Sequence, residues 1–284
     1  MKLKNYLPML GLGLAALTMY SCDNDDDNIN VPSELNNALS ERYPNAQRIE
    51  WETERNYYVA DFWDGYERSA WFTVGGEWQM TETDLPYRDF PQAVKTAFES
   101  SNYANWRMDD TDQLERKDLE VVYIIEVEQN QQEADLYYTA DGILIREWNN
   151  NGGNNGSGDN SGGYQPLQMP AETQAFIESK YPGARIVELD MALVNMQAGY
   201  EVDIVHDQRS KDLLFDQEWT WVETSWEIWP NELPQAVTGA VSAQYPNTRI
   251  DDADYVETPD NTFYRLELEP GEFHIQVMPD GTIL

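Results

Sequence analysis

VPSELNNALSERYPNAQRI, from Val31 to Ile49, decides the fold, because the chain repeats it three more times. The copies are FPQAVKTAFESSNYANWRM from Phe90, MPAETQAFIESKYPGARI from Met169 and LPQAVTGAVSAQYPNTRI from Leu233. Their prolines, 32, 91, 170 and 234, are spaced by 59, 79 and 64 residues. Each copy reads as one short helix. Proline suits the first helical position, where its missing N–H costs nothing. Apolar residues then recur at helical spacing: Leu35, Ala38, Leu39 and Tyr43, then Ala93, Val94, Ala97 and Phe98. The later copies place Phe176, Ile177 and Tyr181, and Val237, Ala240, Val241 and Tyr245, in the same way. Tyr-Pro ends three of the four, since proline cannot continue a helix and holds its predecessor extended.

Outward from each helix the period changes to two. Tyr57–Phe62, Val121–Val127, Tyr200–Val205 and Tyr264–Leu268 carry strand patterns. Gly75-Gly76, Asp141-Gly142 and Asp280-Gly281 mark hairpin turns. The repeating unit is therefore a helix followed by an antiparallel meander, four times over. The expected class is α+β, with four units in two domains.

Two stretches, Asp23–Asn28 and Asn149–Gly163, cannot pack. Asn149–Gly163, NNNGGNNGSGDNSGG, holds only Asn, Gly, Ser and Asp, and reads as a coil of about 20 Å span. At the other break, Lys2 and Lys4 precede an uncharged, largely apolar run from Tyr6 to Tyr20, closed by Ser21-Cys22. That is the pattern of an export signal, too short to span a bilayer comfortably. Ser21-Cys22 resembles the end of a bacterial lipobox, which makes Cys22, the sole cysteine, a lipidation site. An acidic run, Asp23 to Asn28, follows it and resembles the signal carrying some lipoproteins to the outer face of the outer membrane. The expected plan is a signal peptide over 1–21 and a lipidated acidic tether over 22–31. A first domain over 32–148, a linker over 149–166 and a second domain over 167–284 follow. The expected location is the outer membrane, on its periplasmic face or at the cell surface, with membrane contact only through the lipid on Cys22.

The formal net charge is −34, from 52 acids against 18 lysines and arginines. Such a surface repels phosphate backbones, so nucleic acid is not an expected partner. With 41% hydrophobic and 12% aromatic residues the chain can nevertheless bury cores.

Taken together, the Leu-Pro-x-Ala-Val helix, Tyr-Pro, a Tyr-rich strand and the Asp-Gly hairpin resemble the PepSY-like domains, whose fold is similar to that of β-lactamase inhibitor protein. Glu77-Trp78-Gln79-Met80-Thr81-Glu82-Thr83 carries the strand motif once, and Glu218-Trp219 with Glu223-Thr224 carries a looser copy. The closing hairpin is matched by Tyr138–Leu144 and Val277–Leu284. The resemblance implies two units joined in one curved antiparallel sheet per domain, with helices on one face. It also implies an envelope setting and protein binding or inhibition. It supplies no catalytic residue and no cofactor.

Familiar catalytic arrangements are not expected either. His206 and His274 lie in different repeats without metal-type spacing, and neither has a glycine-flanked serine elbow. With 52 carboxylates, pairs arise by composition alone. Asp251-Asp252-x-Asp254 reads as a solvated turn, with calcium contact as the alternative. The aromatics are the strongest hint: Trp219, Trp221, Trp226 and Trp229 fall in one stretch, and Trp63, Trp71 and Trp78 form a weaker parallel. Strand alternation puts Trp219 and Trp221 on one face. On a solvated face they form a platform for a protein or a sugar ring; under a helix they are core. The leading expectation is a non-enzymatic, tethered binding protein for another envelope protein. A glycan-binding accessory protein and an inhibitor of an envelope hydrolase or protease are the alternatives.

Overall fold

The computed structural model describes residues 31–54, 56–149, 168–271 and 273–284. The signal peptide, Cys22, the tether up to Asn30 and the linker beyond Asn149 lie outside the described residues.

Four helix–meander units are present. In the first, α1 (Ser33–Arg42) leads into β1 (Gln47–Glu54), β2 (Tyr57–Trp63), β3 (Glu67–Thr73) and β4 (Trp78–Asp84). The second runs α2 (Gln92–Glu99), β5 (Arg107–Arg116), β6 (Val122–Gln129), β7 (Gln132–Thr139) and β8 (Leu144–Asn149). The third is α3 (Ala171–Lys180), β9 (Arg185–Val194), β10 (Gln197–His206), β11 (Arg209–Asp216) and β12 (Trp221–Glu227). The fourth is α4 (Gln235–Gln244), β13 (Arg249–Glu257), β14 (Thr262–Glu269) and β15 (Phe273–Val277). Pairing of β4 with β5, and of β12 with β13, fuses the units into an eight-stranded and a seven-stranded antiparallel sheet, each in sequence order.

Each proline stands one residue earlier than expected. Pro32, Pro91, Pro170 and Pro234 are N-caps with extended ψ rather than first-turn residues. A proline's fixed φ suits the cap as well, and boundaries of this kind differ by a residue. The tyrosines close α1, α3 and α4, with the N–H of Tyr43, Tyr181 and Tyr245 bonded to the carbonyls of Leu39, Ile177 and Val241 at 2.7 Å.

One face of each sheet is packed under helices. Leu35, Leu39 and Tyr43 meet Ala60, Phe62, Ala70 and Phe72, while Val94 and Phe98 meet Ile125, Val127, Leu136 and Tyr138. Ile177 and Tyr181 cover Val202, Ile204, Leu213 and Phe215; Val237 and Val241 cover Ala253, Leu266 and Leu268. The closing hairpins press back on the helix of their own unit: a Cβ on Gly142 would stand 2.6 Å from the Ala93 carbonyl oxygen in α2, and one on Gly281 2.7 Å from that of Ala236 in α4.

The strand motif has a structural task, repeated in both domains. Trp78 Nε1 donates to Thr81 Oγ1 at 2.8 Å, and Trp221 Nε1 donates to Thr224 Oγ1 at 2.9 Å. The cation ending each overlying helix lies on the indole, Arg42 at 3.5 Å and Lys180 at 4.3 Å from the ring centroid. Stacking of this kind buries the apolar ring while leaving the charge solvated.

Candidate functional site

Alternation along the strands gives each sheet a second, helix-free face. On the first sheet it carries Val59, Asp61, Trp71, Met80, Glu82, Asp112, Leu114, Arg116, Val122, Ile124, Glu126, Asp135 and Tyr137, as the cross-strand register shows. This face has two unlike halves.

The apolar half is covered by the second domain. Val187 of β9 and Val205 of β10 join Val59, Trp71, Met80, Leu114, Val122, Ile124 and Tyr137 in one buried cluster. Polar bonds frame it. The Arg116 guanidinium, from β5, pairs with Glu188 and also donates to the Val187 carbonyl at 2.8 Å. Arg146, from β8, reaches Asp190 at 2.7 Å and Asp203 at 3.8 Å. In the other direction Arg185 bridges Glu120 at 2.7 Å and Asp141 at 2.9 Å. Arginine suits this place because its planar, weakly hydrated fork loses least on burial. Burial pushes the Glu188 carboxyl up, but Arg116 and Arg146 outweigh it and hold the group below the usual range.

The acidic half lies further along the same strands. Asp84 and Asp110 are exposed, Asp61, Glu82, Glu126 and Asp135 are half-buried, and Asp112 forms the floor at 8% exposure. Burial, then repulsion from Glu82, Asp110, Glu126 and Asp84, pushes Asp112 up to about 9. Glu82 and Glu126 are pushed up to about 7 and Asp135 to about 6, in each case first by burial and then by neighbouring carboxylates.

The second sheet repeats this ground with a difference. Arg107-Met108-Asp109-Asp110-Thr111-Asp112 and Arg249-Ile250-Asp251-Asp252-Ala253-Asp254 occupy matching places, with the same register shift after Met108 and after Ile250. Asp112 stands opposite Ile124, whereas Asp254 stands opposite Arg265. Arg265 lies 4.0 Å from Asp254 and 2.9 Å from Glu223. The Asp251–Asp254 run is thus not the turn expected of it. It is part of β13, because the bulge after Ile250 lets the chain re-enter the ladder with Asp252 and Asp254 paired. Among the described residues, Glu201, Asp203 and Asp212 bring three carboxylate oxygens within 4.8 Å of one another.

The tryptophans of the 219–229 stretch do not share one exposed surface. Trp219 stacks on Tyr200 with centroids 3.9 Å apart, and it packs with Trp221 against the core under α3. Trp226 packs on Tyr255 and beneath the Lys211 ammonium, 3.8 Å from its ring centroid. Trp229 is separate and 69% exposed. Trp71 is buried between the domains, Trp78 lies under α1, and Trp63 is partly exposed. His206 sits 5.5 Å from the Tyr181 ring and His274 3.7 Å from Glu267, far apart on the second sheet. Sequence reading missed Asp112, Arg116 and Arg146. The repeated Arg-x-Asp-Asp-x-Asp was the signal that could have found the first.

A model of a family described as beta-lactamase-inhibitor-like, PepSY-like matches residues 56–146 and 198–284. Among solved structures, a BLIP-like protein of Bacteroides fragilis is 39% identical, with a TM-score of 0.42 over 46% of this chain and 96% of its own. A Bacteroides ovatus protein is 33% identical, with a TM-score of 0.40 over 42% and 86%. A Bacteroides eggerthii protein described as periplasmic is 29% identical, with a TM-score of 0.40 over 44% and 93%. No curated protein matches. Among the described residues no helix is long and apolar enough to cross a membrane.

Proposed function

The chain belongs to the beta-lactamase-inhibitor-like, PepSY-like family, and from that premise we propose that it is a non-enzymatic binding protein of the bacterial envelope that holds another protein against an open sheet face. One observation carries this reading. The helix-free face of the first sheet already grips a folded piece of protein, since Val187 and Val205 of the second domain sit on its apolar half. The acidic half beside it remains for a partner outside the chain. A photo-reactive residue at position 135, on that half, should capture another envelope protein in cells. The same residue at position 178, on the exposed side of α3, should not. Equal capture from both, or none from either, sinks the reading.

The tether belongs to the same proposal. Cys22 carries the lipid that places both domains at the outer membrane, with 149–166 as the linker between them. Metabolic labelling with a fatty acid should mark the wild-type chain and not Cys22→Ser.

A glycan-binding reading is favoured by one residue, Trp229, which is 69% exposed and of a type that stacks on sugar rings. Trp219, Trp221 and Trp226 pack elsewhere, so this reading rests on Trp229 alone. Loss of a glycan-array signal in Trp229→Ala is the expected result; an unchanged signal removes the idea.

A further inference from the structure

Asp112 is a buried carboxylate that nothing in the fold explains. It is 8% exposed. No hydrogen bond or ion pair reaches it among the described residues. Its surroundings make this costly, because every titratable group pressing on it is an acid: Glu82, Asp110, Glu126 and Asp84. Ionising it there without a partner is disfavoured by desolvation and by repulsion alike, whereas a cation brought against it would offset both.

The chain solves the same problem twice elsewhere, each time with a guanidinium. On the second sheet Asp254, at the matching place, faces Arg265 at 4.0 Å across the ladder. Also on that sheet, Glu188, Asp190 and Asp203 receive Arg116 and Arg146, which are delivered by another folded domain. The first sheet has Ile124 where the second has Arg265. What would neutralise Asp112 is therefore missing from its own sheet, and the precedent within the molecule is an arginine carried on protein.

We propose that the acidic half of the first sheet's open face is a docking site for basic side chains of a protein partner, with an arginine or lysine lodging against Asp112 at the edge of the covered apolar half. This rests on the reading of the chain as a protein-binding module and names the chemistry of what it binds. A metal ion is the less fitting occupant. Calcium needs six to eight oxygens gathered around one point. Among the described residues, three carboxylates converge within 4.8 Å only at Glu201, Asp203 and Asp212, on the other sheet. Around Asp112 the acids are instead spread over β4 to β7, from Glu82 to Asp135, which suits several cationic side chains on one segment.

The test uses the full chain made soluble by Cys22→Ser, with fluorescent hexa-arginine as probe, at neutral pH and about 0.15 M salt to screen distant charges. The wild type should bind. Asp112→Asn removes the receiving carboxylate, and Glu126→Lys places a cation among the acids around it. Each should weaken binding by at least about tenfold, as when one side of a buried charge pair is removed. Asp118→Asn, an exposed turn acid, should change it by no more than about twofold. Circular dichroism checks that the variants fold, and two variants of opposite character keep a single misfolded one from deciding the matter. Hexa-arginine binding unchanged in both variants overturns the proposal. So does calcium alone binding stoichiometrically to the wild type and not to Asp112→Asn. If arginine binding is site-specific but position 135 captures no envelope protein, the functional reading fails and the cation site stands. If position 135 captures a protein and both variants bind hexa-arginine like the wild type, the cation site fails and the reading stands.

Discussion

At the scale of single residues, the raised carboxyls make acidity stabilising over an unusual window. A carboxyl held above its ordinary value binds its proton more tightly folded than unfolded. Its contribution is full below the ordinary carboxylate range and is lost as pH rises through the folded value. For Asp135, Glu82, Glu126 and Asp112 that loss extends from about 6 to about 9. The lowered carboxyl of Glu188 has the opposite sign, but its contribution is lost only in acid below this window. The melting temperature should therefore fall between about pH 5.5 and about pH 8.5. Asp112→Asn should flatten the upper part of that fall and raise the melting temperature at the alkaline end by roughly 5 °C. Thermal melts across the range check both; a melting temperature that rises with pH contradicts the assignment. Beyond the repeated Arg-x-Asp-Asp-x-Asp that contains Asp112, none of this was legible beforehand. Fifty-two acids give pairs everywhere, and which of them share a face depends on the bulge between Met108 and Asp110, a one-residue event with no side-chain signature.

At the scale of elements, much more was legible, and for physical reasons. Proline opens all four helices within a residue of the expected place, and Tyr-Pro closes three of them. Glycine turns at 75–76, 141–142 and 280–281 were equally plain. The turns at Asn130-Gln131, Asn195-Met196 and Asp207-Gln208 were not, because both central residues take positive φ without a glycine to announce it. Trp221 was ambiguous because the Thr224 hydroxyl that satisfies its indole is three residues away on its own strand, while the α3 helix covering it is some forty residues distant. The closing hairpins allow a graded prediction. Gly65 has positive φ and nothing within 4 Å of a new Cβ, so Gly65→Ala should cost about 1–2 kcal/mol for the left-handed backbone alone. Gly142→Ala meets the Ala93 carbonyl as well and should cost about 1–3 kcal/mol more. Denaturant unfolding of the two variants measures the difference; equal losses would mean that the hairpin does not bear on α2.

At the scale of the whole molecule, two sheets built alike are used differently. The first gives its apolar half to the second domain, and the contact is held by arginines reaching into carboxylates. Removing one partner of a buried pair leaves the other charge stranded, at a cost of about 3–5 kcal/mol. Arg116→Ala combined with Arg146→Ala should therefore loosen the domains before it unfolds either. Small-angle scattering should show a larger radius of gyration with the circular dichroism retained. An unchanged radius would mean that the apolar cluster alone holds them. Open meanders also have ends. With strands in the order β1 to β8, the outer edge of β1 has no strand beside it among the described residues. An unpaired edge is a template for stacking one molecule on another, and exposed charges are the usual guard. Here Glu50 and Glu52 stand exposed on β1. That guard is made of protons withheld, so prolonged incubation at about pH 3, where carboxylates lose their charge, should bring on thioflavin-positive fibres that are absent at neutrality. Glu50→Val with Glu52→Val should let them form at neutrality too. An acidic surface, in this chain, is also what keeps one copy from growing onto the next.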